Sequence, residues 1–130
     1  LSMLNSQLST AIASAAIRNL AAFSAQNITN TAWAFSKMAL QDMPLMHSLS
    51  AAALRTISDW NSQHLYNFAW SFANIQIHDM PLFEAISASA IRIMSDFSDS
   101  ALSITAWSFA NLCITHVPLI NAISAQSLRL

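Results

Sequence analysis

Apolar positions along the chain recur at intervals of three and four rather than two, which predicts helices and argues against strands. In the middle of the chain one such stretch runs roughly from Gln63 to Ile77 and is called helix A here. A second starts at Pro81 and runs to about Phe97, and is called helix B. Proline suits the first position of a helix because its missing N–H had no partner there. Asp42 and Asp79 stand just upstream, where a carboxylate favours the positive end of the helix dipole. Ser24, Ser62 and Ser98 are the expected caps ahead of helix A. The joins between stretches are only a few residues long, so neighbouring helices should run antiparallel.

This pattern repeats. Trp33, Trp70 and Trp107 are 37 residues apart, as are Phe35, Phe72 and Phe109, and Pro44, Pro81 and Pro118. Arg18, Arg55, Arg92 and Arg129 keep the interval, and so do Phe23, Trp60 and Phe97. The expected fold is all-α: a right-handed α-solenoid of stacked antiparallel helix pairs with a 37-residue repeat. A partial repeat occupies 1–23, full repeats 24–60 and 61–97, and a truncated one 98–130. The register further predicts a stub of helix A at the start, and a last helix B that stops before its end. On that basis the chain is expected to be a single solenoid segment of a longer protein.

Each copy of helix A divides into faces. Leu65, Ala69, Phe72 and Gln76, with Cys113 aligned to Gln76, form the stripe expected against helix B. Phe35, Phe72 and Phe109 should make a buried ladder, with Trp33, Trp70 and Trp107 held between neighbouring copies. Ala32, Ala69 and Ala106 permit close approach. A further face is mostly polar and changes from copy to copy: Asn27, Asn30, Ala34, Lys37 and Gln41, then His64, Asn67, Ser71, Asn74 and His78, then Ala101, Ile104, Ser108, Asn111 and Thr115. Stacking would align these into one ladder with steps of roughly 10 Å. Amides carry both donors and an acceptor for base edges; the alternative is a face that simply meets water. The repeated arginines complement the dipole end of helix B and can pair with Asp59 and Asp96. They could equally hold successive phosphates.

Composition narrows the chemistry. The 130 residues are 55% hydrophobic and 8% charged, so a packed core is expected rather than disorder. Polar residues interrupt every long apolar run, which argues against a transmembrane span. With no glycine, phosphate-binding Gly loops and nucleophile elbows are excluded. The single cysteine, Cys113, excludes a disulfide framework. The four histidines lack metal-ligand spacing. No enzyme, cofactor, metal site or small-molecule substrate is expected.

The segments NTAWAFSKM at Asn30–Met38, NFAWSFANI at Asn67–Ile75 and ITAWSFANL at Ile104–Leu112, with MPLFEAIS at Met80–Ser87, resemble the octotricopeptide and heptatricopeptide-like repeats of algal and alveolate organelles, the type found beside RAP domains. The resemblance implies an α-solenoid in a chloroplast or mitochondrion. It also implies a role with RNA in processing, stability, translation or ribosome assembly. By the same analogy the variable helix A positions would face single-stranded or ribosomal RNA, and Asn30, Lys37, Asn67, Asn74 and Asn111 are the candidates. Lys37 would meet phosphate, and the amides would read bases or sugar hydroxyls. Five basic against six acidic residues give a net charge of −1, which opposes a strongly basic RNA surface. The alternative reading is therefore a scaffold or accessory subunit that binds protein inside a large organellar complex.

Overall fold

The computed structural model describes residues 2–130, with side chains from Asn5 onward. Seven α-helices lie among the described residues: α1 Ser2–Asn19, α2 Ala25–Lys37, α3 Met43–Thr56, α4 Ser62–Asn74, α5 Met80–Arg92, α6 Asp99–Asn111 and α7 Val117–Arg129. Helices α2, α4 and α6 are the three copies of helix A, and α1, α3, α5 and α7 are helices B. Successive helices A make the broadest contacts, helices B pack on one another behind them, and each A packs on the B that follows it. The fold is an all-α helical repeat.

Local chemistry sets the ends of each helix. Ser24, Asn61 and Ser98 cap α2, α4 and α6 by accepting a backbone N–H three residues on. The cap of α4 is thus Asn61 rather than Ser62, because Asn61 holds the register of Ser24 and Ser98. Asp42 and Asp79 cap α3 and α5, with Pro44 and Pro81 second, not first, in the helix. His116 takes the aspartate's place before α7, its Nδ1 accepting from Leu119 N–H at 3.2 Å.

Helix A is shorter than its apolar pattern suggested. It ends at Asn74, and Gln76 turns the chain with φ 59°, matched by Ala39 at 55° and Cys113 at 56°. The Ile77 N–H then returns to the Phe72 carbonyl at 2.9 Å and the Gln76 N–H to Ala73 at 3.1 Å, the two bonds of a Schellman ending. The other two copies repeat both bonds. Gln76, Ala39 and Cys113 are therefore exposed turn residues and not part of the buried stripe; the Cys113 thiol in particular is outside the core. Helix B also stops early. Its α-helical part ends at Arg92, and Met94–Asp96 form a separate 3-10 turn, as do Ile57–Asp59.

The start of the chain departs from the expected register. Among the described residues there is no stub of helix A: α1 runs unbroken from Ser2. Asn5 and Gln7 stand where later copies carry the capping aspartate and the proline, so nothing interrupts the backbone. Leu1 lies outside the described residues. At the far end α7 is thirteen residues long, like α5, and ends at Arg129, the equivalent of Arg92.

The core follows the phenylalanine ladder: Phe35, Phe72 and Phe109 are buried, as are Phe68 and Phe83, with Phe83 edge-on to Phe109 at 5.0 Å. Helix A uses two opposite edges for stacking. One edge meets the following copy: Thr29, Ala32 and Ser36 on α2 and Ala69 and Ala73 on α4 are buried. Their equivalents on α6, Ser103, Ala106 and Ala110, are exposed. The other edge meets the preceding copy: Ser71 and Ile75 on α4 and Ser108 and Leu112 on α6 are buried, whereas on α2 Ala34 is half-buried and Met38 exposed. The tryptophans are not held between copies. Trp33 and Trp107 are 44% and 45% exposed and Trp70 is half-buried. At about 100° per residue their positions turn away from both edges toward the open side of helix A.

Candidate nucleic-acid interface

In α4 one face is committed to helix B and two edges to stacking, and the fourth side, open in all three copies of helix A, is the candidate for recognition. In α2 it carries Asn30, Trp33 and Lys37, and in α4 Asn67, Trp70 and Asn74. In α6 the same positions hold Ile104, Trp107 and Asn111. Spacings of three and four residues bring these side chains into one stripe.

Within that stripe the five candidate residues do different things. Asn30 and Lys37 are exposed, and the Lys37 ammonium lies 5.6 Å from the centre of the Trp33 ring. That is cation–π distance. Asn67 is half-buried. The Asn74 amide is engaged: its Nδ2 donates to the Ser36 carbonyl at 3.2 Å and to the Ser36 hydroxyl at 3.1 Å. Asn111 repeats the contact one copy on, donating to the Ala73 carbonyl at 2.8 Å. These two amides join one helix A to the next. Lys37 holds their register position in α2.

Other members of the expected polar face are structural as well. Ser71 and Ser108 are buried between successive helices A, where their small size allows close approach. Each hydroxyl donates to the carbonyl four residues back, at 2.7 Å from Ser71 to Asn67 and 2.8 Å from Ser108 to Ile104. Asn27 and His64 close capping boxes at the starts of α2 and α4. The His64 ring sits edge-on to Trp60 at 6.0 Å, and burial pushes its pKa below the ordinary 6.5. The expected face was thus drawn about 50° too far toward the preceding copy, at 100° per residue. Trp33, Trp70 and Trp107 are what that rotation missed. The signal was present: each stands three residues after position 30, 67 or 104 and four before position 37, 74 or 111.

The arginines lie off this stripe, near the ends of helices B. Arg92 donates to the Ser58 carbonyl at 3.0 Å, tying α5 to the 3-10 turn of the preceding copy, rather than pairing with Asp96 as expected. Among the described residues Lys37 is the only cation on the open side of helix A. Among them, too, no three His, Cys, Asp or Glu side chains gather as a metal site would require. No helix among them is long and apolar enough to cross a membrane.

Comparison with curated proteins finds no match. The sequence model of one family, described as RNA-editing substrate-binding complex 6 protein, matches residues 1–130. This is not the octotricopeptide or heptatricopeptide family that the Trp–Ala–Phe segments resemble. What stands of that resemblance is its coarse part, a helical-repeat chain in a family tied to RNA. With the match spanning all 130 residues, the chain belongs to the RNA-editing substrate-binding complex 6 protein family.

Proposed function

We propose that this chain is a non-enzymatic helical-repeat module of RNA-editing machinery, and that it binds single-stranded RNA along the open side of its helices A. The observation that carries the reading is the family match over residues 1–130, named for a complex that binds editing substrates. The stripe supports it with suitable chemistry. Half-exposed Trp33, Trp70 and Trp107 offer aromatic faces to unpaired bases, and such stacking contributes about 1–3 kcal/mol per base. Asn30 and Asn67 add donors and acceptors for base edges, and Lys37 adds a charge for phosphate. Asn74 and Asn111 are left mainly a carbonyl oxygen for this purpose, since their amide nitrogens hold neighbouring copies. The proposed setting is an organelle, and a mitochondrion rather than a chloroplast, because the family match lends a chloroplast no support.

A net charge of −1 favours a second reading, in which the chain is a protein-binding scaffold or accessory subunit of the same machinery. Salt dependence separates the two. With Lys37 as the single phosphate contact, the logarithm of RNA affinity should fall with that of salt at a slope of about −0.7. The test is a titration of a labelled single-stranded oligonucleotide at several salt concentrations. The expected outcome is that Trp33→Ala and Asn67→Ala weaken binding at least fivefold and Lys37→Ala flattens the slope. Glu84→Ala, on helix B, should change nothing. Variants that all stay within twofold of the parent would leave the scaffold as the better reading.

A further inference from the structure

An open groove of about 840 Å³ runs between α1 and α2. Leu8 and Ile12 line it from α1, and Ala34 and Met38 from α2. Leu8 is 59% and Met38 58% exposed.

The repeat itself shows what fits there. One repeat on from Leu8 and Ile12 come Leu45 and Leu49, and two repeats on come Leu82 and Ile86; all four are fully buried. The counterparts of Ala34 and Met38 are buried too, as described above. In both later copies the space between the B and the A is filled by the preceding helix A. Helix α2 occupies it against α3 and α4, and α4 occupies it against α5 and α6. Each filling helix is thirteen residues long and presents small side chains at spacings of three and four, such as Ala32 and Ser36, or Ala69 and Ala73. Each also offers a carbonyl near its C-terminus to the clamping amide, Asn74 or Asn111. In the α1–α2 groove that clamping position is Lys37, a cation where the negative end of an incoming helix dipole would lie.

We propose that the α1–α2 groove is a docking site for one additional α-helix of helix A character. That helix would be about thirteen residues long, with a small-residue edge against α2, an apolar face against Leu8 and Ile12, and its last carbonyls at Lys37. A second whole copy of this chain does not supply it. Every helix A here is already paired with its own helix B, and that helix B would fall where α1 stands. The occupant is a single helix, and the site adjoins the open stripe assigned to RNA, meeting it at Asn30, which lines the groove, and at Lys37.

The probe is a labelled peptide copying residues 24–40, the segment that fills the corresponding space against α3 and α4. Anisotropy titration against the whole chain should show saturable one-to-one binding. Ile12→Glu and Met38→Glu, both at exposed positions, should weaken it at least tenfold, and a peptide carrying Ala32→Glu should not bind. Isolated helices of this length are marginal in water, so a second arrangement tethers the peptide ahead of the chain by a flexible linker, which raises its effective concentration. The tethered parent segment should raise the unfolding midpoint above that of the tethered Ala32→Glu segment. Equal midpoints, or peptide binding that both chain variants leave within twofold, would overturn the proposal. A chain that sediments as a dimer and becomes monomeric with Met38→Glu would also overturn it, by giving the groove to a second copy.

Discussion

Ala39, Gln76 and Cys113 hold a left-handed backbone without being glycine. For a residue with a Cβ that conformation costs about 1–2 kcal/mol. Glycine would remove the clash but add about 0.5–1 kcal/mol of chain entropy to be lost on folding. Ala39→Gly should therefore stabilise the chain by about 0.5–1 kcal/mol, read as a rise in the urea midpoint. The same change inside α2, Ala34→Gly, should destabilise by about 1 kcal/mol, so the pair separates turn geometry from composition. His64 carries a pH signature. Its Nδ1 accepts the Asn61 N–H at 3.3 Å, a bond that a protonated ring would lose. Burial holds its folded pKa below 6.5. Between the folded value and 6.5 the unfolded chain then binds more protons, so this contribution is intact above 6.5 and is lost as pH falls through the folded pKa. Urea midpoints of the parent and His64→Gln should converge as the pH falls from neutral to about 5.

Between elements, the decisive contact is the amide that reaches from one helix A to the backbone of the one before. The Asn111 bond to the Ala73 carbonyl is half-buried and should contribute about 0.5–1 kcal/mol, the lower part of the usual range. The reason is that the same carbonyl also accepts from Gln76. Asn111→Ala should lower stability by that amount, whereas Asn30→Ala, at an exposed position, should stay within about 0.5 kcal/mol; both are read by chemical denaturation. This contact also marks where sequence reasoning stopped. The interval of 37 and the period of three and four made the helices, their order and the buried Phe35, Phe72 and Phe109 readable. A polar residue that recurs at 74 and 111 looks the same whether it faces water, a ligand or a neighbouring carbonyl. Only the rotation of helix A about its axis distinguishes these, and with Asn74 and Trp70 about 40° apart at 100° per residue, a small error exchanges surface for interface. The turns at Gln76 and Cys113 were hidden for a different reason: glycine is the usual sign of a left-handed residue, and this chain has none.

For the molecule as a whole, charge is sparse and stacking is continuous. Stability in such a chain is close to a sum over units and the junctions between them. The two junctions are not held by matched side-chain pairs alone. Asn74 and Asn111 address a main-chain oxygen, and that oxygen is offered by Ser36 in one case and Ala73 in the other. Every amino acid supplies the same acceptor at that place, so the preceding unit needs no complementary residue there for the bond to form. Units built this way are interchangeable parts: one can be duplicated, deleted or exchanged without a compensating change in its neighbour, provided the small edge and the amide are kept. An array of this kind can therefore lengthen or shorten in whole steps of 37 residues while its open stripe is revised independently, copy by copy.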